Sequence, residues 1–448
     1  MTGRREAHRY SDWRPATARR TIKLSPAARS LWGKSDHGLN RAWMPLFVHM
    51  IDSSQVAGRL WDEWAAKFVR KSIASSLGAS DARARAVLVF LAAVHDIGKA
   101  TPSFQAQPCS WSYTGDGSSL AWIPEQEGLR CTRASCETSP KHTVAGQAIL
   151  EKSLQSHCNV SLRSARSLAS IVGCHHGTPP SSENVDKART CRPISMGFDD
   201  ERWLAVQDEL LTLSLALAGL AADDLCKVLS NGIPAPAASL LTGLLIMCDW
   251  IASDSDAFPL FELESFDYVP IGDSSEEGRL EDPSLIADKG NGLNLGGFEL
   301  RAQWGWGYID LLPSWHEAPL SHEDILGIYE HRFSLPEGAK PRPIQLAALE
   351  VAEKIEEPAL MILEAPMGEG KTEAALAVAE VFAAKAGSGG VCIALPTMAT
   401  TDAMFARAHQ WLDRLPRDGA NVPKSVCLAH GKARLNEEYE GIIRASRY

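Results

Sequence analysis

The sequence predicts a mostly α-helical domain followed by an α/β domain with a parallel sheet, and three observations carry that reading. Residues 35–252 alternate long helix-periodic apolar patterns with loops, and histidines recur at the ends of those patterns. Residues 253–300 turn acidic and rich in Gly, Ser and Asp, as in Asp273-Ser-Ser-Glu-Glu277, which reads as a connection. From about Ile325 short apolar runs alternate with helical patterns, and strand–helix–strand–helix order implies parallel pairing. A length of 448 residues leaves room for two or three domains that each bury a core. The predicted units are a basic arm (1–30), a helical domain (31–255), an acidic, glycine-rich connecting segment (256–325) and the α/β domain (326–448).

Composition narrows the function classes. With 45% hydrophobic and 22% charged residues, a collagen, a fully disordered chain and a small disulfide scaffold are excluded. The apolar runs Leu210–Leu220 and Leu240–Ile251 fall short of the ~18–20 residues of a membrane span, and the second contains Asp249. No membrane association is expected. The basic start lacks the apolar core of a secretory signal, so the ten cysteines read as free thiols of a cytoplasmic protein. Cys109, Cys131 and Cys136 share a loop-like stretch without a CxxC, which favours free thiols over a zinc site. A net charge of −10 argues against a general nucleic-acid-coating protein, although one local site on an acidic body remains compatible with it.

The helical part carries a set of polar residues inside apolar patterns. His49 lies in Pro45–Asp52, with Asp52 three residues on and able to orient its ring. His95-Asp96 ends the apolar pattern Ala86–Val94, with Lys99 one turn later as a candidate to neutralise phosphate charge. His142 precedes the pattern Val144–Leu150. His175-His176 ends Ala165–Cys174, with Gly177 as a natural cap. Asp249 is the one charge in Leu244–Ile251. An unpaired buried carboxylate is costly, so this set asks for a partner, and a metal is one solution. Five histidines with two aspartates suit Fe, Mn, Co or Ni, with Zn less favoured and Ca disfavoured. Two such ions sharing a carboxylate would clamp the attacking and leaving oxygens of a phosphodiester. His37 beside Trp32 reads as structural loop, and Trp61 and Trp64, at helical spacing, as core.

The α/β part carries a phosphate loop. A predicted strand, Ala359–Glu364, runs into Ala365-Pro-Met-Gly368-Glu-Gly370-Lys371-Thr372 and a helix over Lys371–Ala386. Glycines let backbone N–H groups converge on an oxyanion, Lys371 can reach β/γ-phosphates, and Thr372 can hold Mg²⁺. A second strand, Val391–Leu395, and a helix, Thr400–Leu415, follow. The A-x-x-G-x-G-K-T form resembles superfamily 2 helicases, Gln345 resembles the glutamine that reads adenine there, and Pro396-Thr397 resembles their motif for the nucleic-acid backbone.

In chain order, His49, Asp52, His95-Asp96, Lys99, His142, His175-His176-Gly177, Asp249, Gln345, Gly368–Thr372 and Pro396-Thr397 resemble the type I CRISPR-associated helicase–nuclease family. Leu31-Trp-Gly-Lys-Ser35, Cys248–Asp254 and Glu364–Gly370 are especially similar to its type I-E branch, and His430–Ala433 also fits. The resemblance covers roughly residues 30–435. It implies a helical HD nuclease domain that cuts single-stranded DNA, followed by a RecA-like helicase domain with 3′→5′ polarity. It further implies recruitment by the crRNA-guided surveillance complex (Cascade) in antiviral defence. Carried over, one metal would be held by His49, His95, Asp96 and Asp249, and the other by Asp96, His142, His175 and His176. ATP and Mg²⁺ would be held by Gln345, Gly368, Gly370, Lys371 and Thr372. The family's D-E-x-H element and second RecA-like domain do not occur before Tyr448, so the RecA-like domain is expected to be incomplete at its C-terminus and ATPase activity doubtful. Competing expectations are an HD phosphohydrolase of nucleotides and an inactive remnant that only docks on the complex.

Overall fold

A computed structural model describes residues 22–36, 42–108, 119–132, 138–262, 293, 295–309, 311, 320–335, 338–357, 359–386, 388, 390–415 and 426–445. His37, Cys109, Cys136 and most of the expected basic arm lie outside the described residues.

Near the start of the helical body, β1 (Trp32–Ser35), β2 (Ala42–Pro45) and β3 (Phe261–Glu262) form an antiparallel sheet in the order β1-β2-β3. Trp32 is buried against Phe104 and donates from its indole to the Gln105 carbonyl (3.3 Å), a structural role. Pro45, unable to donate to a ladder, ends β2 and caps α1 (Leu46–Arg59). Nearly every residue from Leu46 to Gly58 is buried, which makes α1 the central helix.

Around α1 stand α2 (Asp81–Val94), α3 (His142–Cys158), α4 (Leu162–Gly173), α5 (Glu201–Ala218) and α6 (Ala235–Ser253). Helices α2 and α6 pack directly on α1, and α3 packs on α4. Together they close one large apolar cluster, in which Trp61 is fully buried and Trp64 packs on it as expected. At 19 residues with mean hydropathy 1.5, α6 is long and apolar enough to cross a membrane, contrary to the run count above. That count stopped at polar and small residues that the helix accommodates. Asp249 and its packing against α1 and α4 place α6 in the core.

Two further expectations are corrected. The connecting segment (256–325) contains a 15-residue helix, α7 (Leu295–Ile309), that packs on α1 and buries Phe298, Arg301 and Ala302. Its composition masked an apolar face that only the α1 groove reveals. The cysteines are not all free thiols, because Cys158, at the end of α3, is bonded to Cys226 in the helix Ala222–Leu229, 68 residues away. No local spacing announces such a pair.

Beyond α7 come α8 (His322–Arg332), α9 (Pro343–Lys354), α10 (Lys371–Ala386) and α11 (Met398–Asp413). Helices α8, α9 and α10 share a second core built on Ile328, Tyr329, Leu349 and Val378. The predicted strands Ala359–Glu364 and Val391–Leu395 enter no ladder among the described residues. The first still alternates, with Met361 and Leu363 packed on the helices while Leu360 (88%) and Ile362 (78%) are exposed. A parallel strand exists only through a neighbour, and strands consecutive in sequence need not be neighbours.

Candidate metal centre

The centre is built from helix ends and one helix interior. Helix α2 ends at His95, and Asp96 leaves it in the bridge region (φ −96°, ψ 12°), so both side chains project from the terminus. Gly98 follows because a Cβ there would stand 1.9 Å from the His142 carbonyl oxygen. Its missing side chain lets the start of α3 press His142 against the His95-Asp96 turn. His175 stands just beyond α4, where Gly177 (φ 83°) turns the chain away. His49 projects from the interior of α1 and Asp249 from α6.

These side chains converge. His49 Nε2 lies 3.3 Å from both Asp96 Oδ2 and Asp249 Oδ1. His95 Nε2 lies 3.5 and 3.4 Å from the same two oxygens. The other oxygen of Asp96 faces His175 Nε2 at 3.7 Å and His142 Nε2 at 3.8 Å. His142 Nε2 and His176 Nε2 are 2.9 Å apart. Three ligand-competent groups emerge: His49/His95/Asp249, His95/Asp96/His175 and His142/His175/His176. Every metal-site residue expected from the sequence is therefore in one cluster, with Asp96 presenting one oxygen to each side.

The donors fit a metal ion on their own chemistry. His95 Nδ1 faces the Ala92 carbonyl (2.8 Å) and His175 Nδ1 the Val172 carbonyl (2.6 Å). A carbonyl only accepts, so each Nδ1 carries a proton and each ring turns its Nε2 inward, where it offers a lone pair once deprotonated. Those Nε2 atoms and that of His49 are buried without a hydrogen-bond partner. Lone pairs held 3.3–3.5 Å from carboxylate oxygens repel unless a cation lies between them. Donors ~2.0–2.2 Å from a common ion and set at ordinary coordination angles lie roughly 3–3.5 Å apart, as here.

Electrostatics agree. Burial, reinforced by neighbouring cations, pushes His142 down to about 4 and His175 to about 3, so both stay neutral donors near pH 7. Burial and Lys34 also lower His49. His95 is the exception, because the Asp96 and Asp249 carboxylates outweigh its burial and raise it. Burial would raise Asp96, but Lys99 and His95 win and hold it well below the usual carboxylate range. Lys99 is itself buried, donating to Asp96 Oδ2 (2.7 Å) and to the Gly33 carbonyl (2.9 Å).

Asp52 departs from expectation. It shares the α1 face with His49, but its Oδ2 accepts from Arg301 Nε (2.9 Å) on α7, while its Oδ1 and His49 Nδ1 each lack a hydrogen-bond partner. Burial outweighs Arg301 and leaves the Asp52 carboxyl raised. Three residues of the surround were not assigned from the sequence. Ser253, one turn after Asp249, donates to its Oδ1 (2.9 Å), and Lys34 donates to Ser253 Oγ. The i,i+4 spacing from Asp249 is the signal that pointed to Ser253. Arg301 had no local signal.

The phosphate loop is a separate place. Gly368 (φ 85°) and Gly370 (φ 75°) take the left-handed conformation, and Gln345 Nε2 donates to the Gly370 carbonyl (3.2 Å). Lys371 Nζ folds back on the carbonyls of Ala365 (2.5 Å) and Pro366 (2.9 Å). Thr372 opens α10 beside it. Thr397 caps α11 through the Thr400 amide (3.2 Å), which is turn chemistry.

Comparison with known proteins matches this layout. The family model "Cas3, HD domain" covers residues 32–258, just over half of the chain. The chain is 32% identical over 430 residues to a CRISPR-associated nuclease/helicase Cas3 of Streptococcus thermophilus, covering 93% of this chain and 41% of that one. It is 29% identical over 423 residues to a CRISPR-associated endonuclease/helicase Cas3 of Thermus thermophilus, covering 94% and 39%. The solved structure of T. fusca Cas3-AMPPNP superposes with TM-score 0.65 at 26% identity, covering 92% of this chain and 40% of that one. A CRISPR RNA-guided surveillance complex in a pre-nicking state contains a chain that superposes with TM-score 0.52 at 25% identity, covering 86% and 38%. The chain thus spans about 40% of the length of these relatives. With an HD-domain match across the whole metal cluster and the phosphate loop following in order, the chain belongs to the Cas3 family of CRISPR-associated nuclease/helicases and corresponds to an N-terminal portion of it.

Proposed function

We propose that this chain is a divalent-metal-dependent nuclease that cuts single-stranded DNA in CRISPR interference. Its phosphate loop would be the ATP-binding start of a 3′→5′ helicase, and a crRNA-guided surveillance complex its recruiting partner. The observation that carries the reading is the convergence of four histidine Nε2 atoms on Asp96 and Asp249, three of them buried without a hydrogen bond, with His176 joined to the cluster through His142. The nuclease/helicase relatives and the surveillance-complex structure support a nuclease and that partner, and the choice of single-stranded DNA follows the resemblance read in the sequence.

His49, His95, Asp96 and Asp249 would hold one ion, and Asp96, His142, His175 and His176 the other. When bound, such a pair supplies an activated water and charge neutralisation at the scissile phosphodiester. The protein's own part is positioning. The Nδ1 protons of His95 and His175 are tied to carbonyls of their own helices, which fixes ring orientation. Asp96 serves both sides because its two oxygens face different histidines. Lys99 acts by holding that carboxylate ionised and in place, since Asp96 and Gly33 already engage its ammonium.

The test is incubation of the purified chain with circular single-stranded DNA and Mn²⁺, Co²⁺ or Ni²⁺, with and without EDTA. Metal-dependent linearisation that His95→Ala removes is the expected result. Intact circles beside hydrolysed deoxynucleoside triphosphates would establish the nucleotide phosphohydrolase instead. Intact circles and intact nucleotides, with capture by the surveillance complex, would leave a docking remnant.

A further inference from the structure

We propose that Lys34, on β1, acts through the Ser253 hydroxyl as a positioning residue for Asp249, which rests on the reading of Asp249 as a metal ligand. The two carboxylates of the centre are held differently. Asp96 is paired directly with Lys99 (2.7 Å). Asp249 is buried as well, yet among the described residues no lysine or arginine pairs directly with it. Its Oδ1 faces His49 Nε2 at 3.3 Å and His95 Nε2 at 3.4 Å, so that oxygen is the one offered to an ion. Its cation stands one link further off. Ser253, one turn along α6, donates to Oδ1 (2.9 Å), and Lys34 Nζ donates to Ser253 Oγ.

A hydroxyl has one proton to give and lone pairs with which to receive. A serine in a helix commonly gives that proton to the carbonyl four residues back. Ser253 gives it to the Asp249 side chain instead. With an ammonium on its oxygen the hydroxyl becomes a stronger donor, and both links are charge-assisted. Burial and Lys99 push the Lys34 ammonium down to about 8, against the pull of Asp249 and Asp96, so it stays charged at pH 7. The neighbouring Gly33 carbonyl accepts from Lys99 Nζ (2.9 Å), so consecutive residues of β1 serve the two carboxylates. A Cβ at Gly33 would stand 3.1 Å from Leu46 Cα, a close approach that seats β1 on the start of α1. The Lys34–Ser253 contact thereby ties Leu31–Ser35 to Cys248–Asp254 across 219 residues of chain.

The experiment titrates Mn²⁺ into the full 448-residue chain by calorimetry at pH 7, beside thermal unfolding of the metal-free protein in EDTA to show that each variant folds. Ser253→Ala and Lys34→Met should each weaken binding about 10–100-fold. The sign is diagnostic, because a lysine acting only through its charge would repel the metal ion and its removal would tighten binding. Lys34→Arg, which keeps a cationic donor, should recover part of the loss. The Lys34→Met/Ser253→Ala double variant should bind no more weakly than the worse single one, because Lys34 acts through Ser253. Unchanged or tighter Mn²⁺ binding in Lys34→Met, or losses that add in the double variant, would overturn the inference. If Lys34→Met does not fold, Lys34→Gln, neutral and polar, is held to the same outcome. A wild-type chain that binds no Mn²⁺ would sink the metal-centre reading and this inference together, whereas normal wild-type binding unaltered by Lys34→Met sinks this inference alone.

Discussion

The helical body and the phosphate-loop segment are built in opposite ways. In the first, polar groups sit inside a completed core, and burial itself tunes them, as at His142 and His175. In the second, the apolar run before the loop has one face on helices and the other exposed, and Lys371 bonds to its own loop. A metal centre of buried donors is formed by packing alone, whereas a phosphate loop needs a strand held on both sides.

The comparison can be broken or sharpened in four ways. Asp96→Ala removes the carboxylate shared by both sides and should lower metal-dependent cleavage by at least about a hundredfold, since losing even an outer partner of a metal ligand costs 10–100-fold. Turnover of circular DNA measures it. Next, Ile51→Ala in the closed core should cost about 2–5 kcal/mol. Ile362→Ser on the uncovered face should stay within about 0.5 kcal/mol. Equal losses in denaturant unfolding would erase the contrast between the regions. Third, Gly98→Ala forces the His95-Asp96 turn away from α3 and should destabilise by about 1–3 kcal/mol or more, with Mn²⁺ binding weakened in step.

The smallest effect concerns pH. Histidine ligands must be neutral to bind a metal, and a raised value means proton competition begins at higher pH. The His95 side of the cluster should therefore lose Mn²⁺ first as pH falls through and below neutrality. On the other side, His142 and His175 compete with protons near pH 4 and below. Calorimetric titrations at pH 8, 7, 6 and 5 should show two sites become one before both vanish.

Much of the site was legible locally. A charged residue or histidine inside or ending an apolar helix pattern is conspicuous, and His49, His95, Asp96, His175 and Asp249 all stood out that way. The phosphate loop was equally plain, because glycines that require positive φ occupy fixed places in it. Arg301 escaped because its helix follows an acidic, glycine-rich stretch and its partner is 249 residues away. The Cys158–Cys226 bond escaped for the same reason of distance. The pairing of Ala359–Glu364 and Val391–Leu395 was not legible, since an apolar run reports burial and not which neighbour lies beside it, and neither enters a ladder among the described residues.

The sequence by itself determined which polar residues stand inside or beside apolar helices and where the phosphate loop falls, because periodicity and glycine placement are local properties of the chain. Tertiary structure alone decided that Asp96 presents one oxygen to each set of histidines. It also decided that Lys99 holds that carboxylate and that Arg301 lies beneath Asp52. Those arrangements depend on which helix ends meet across the core, and that is set by packing among segments far apart in the sequence.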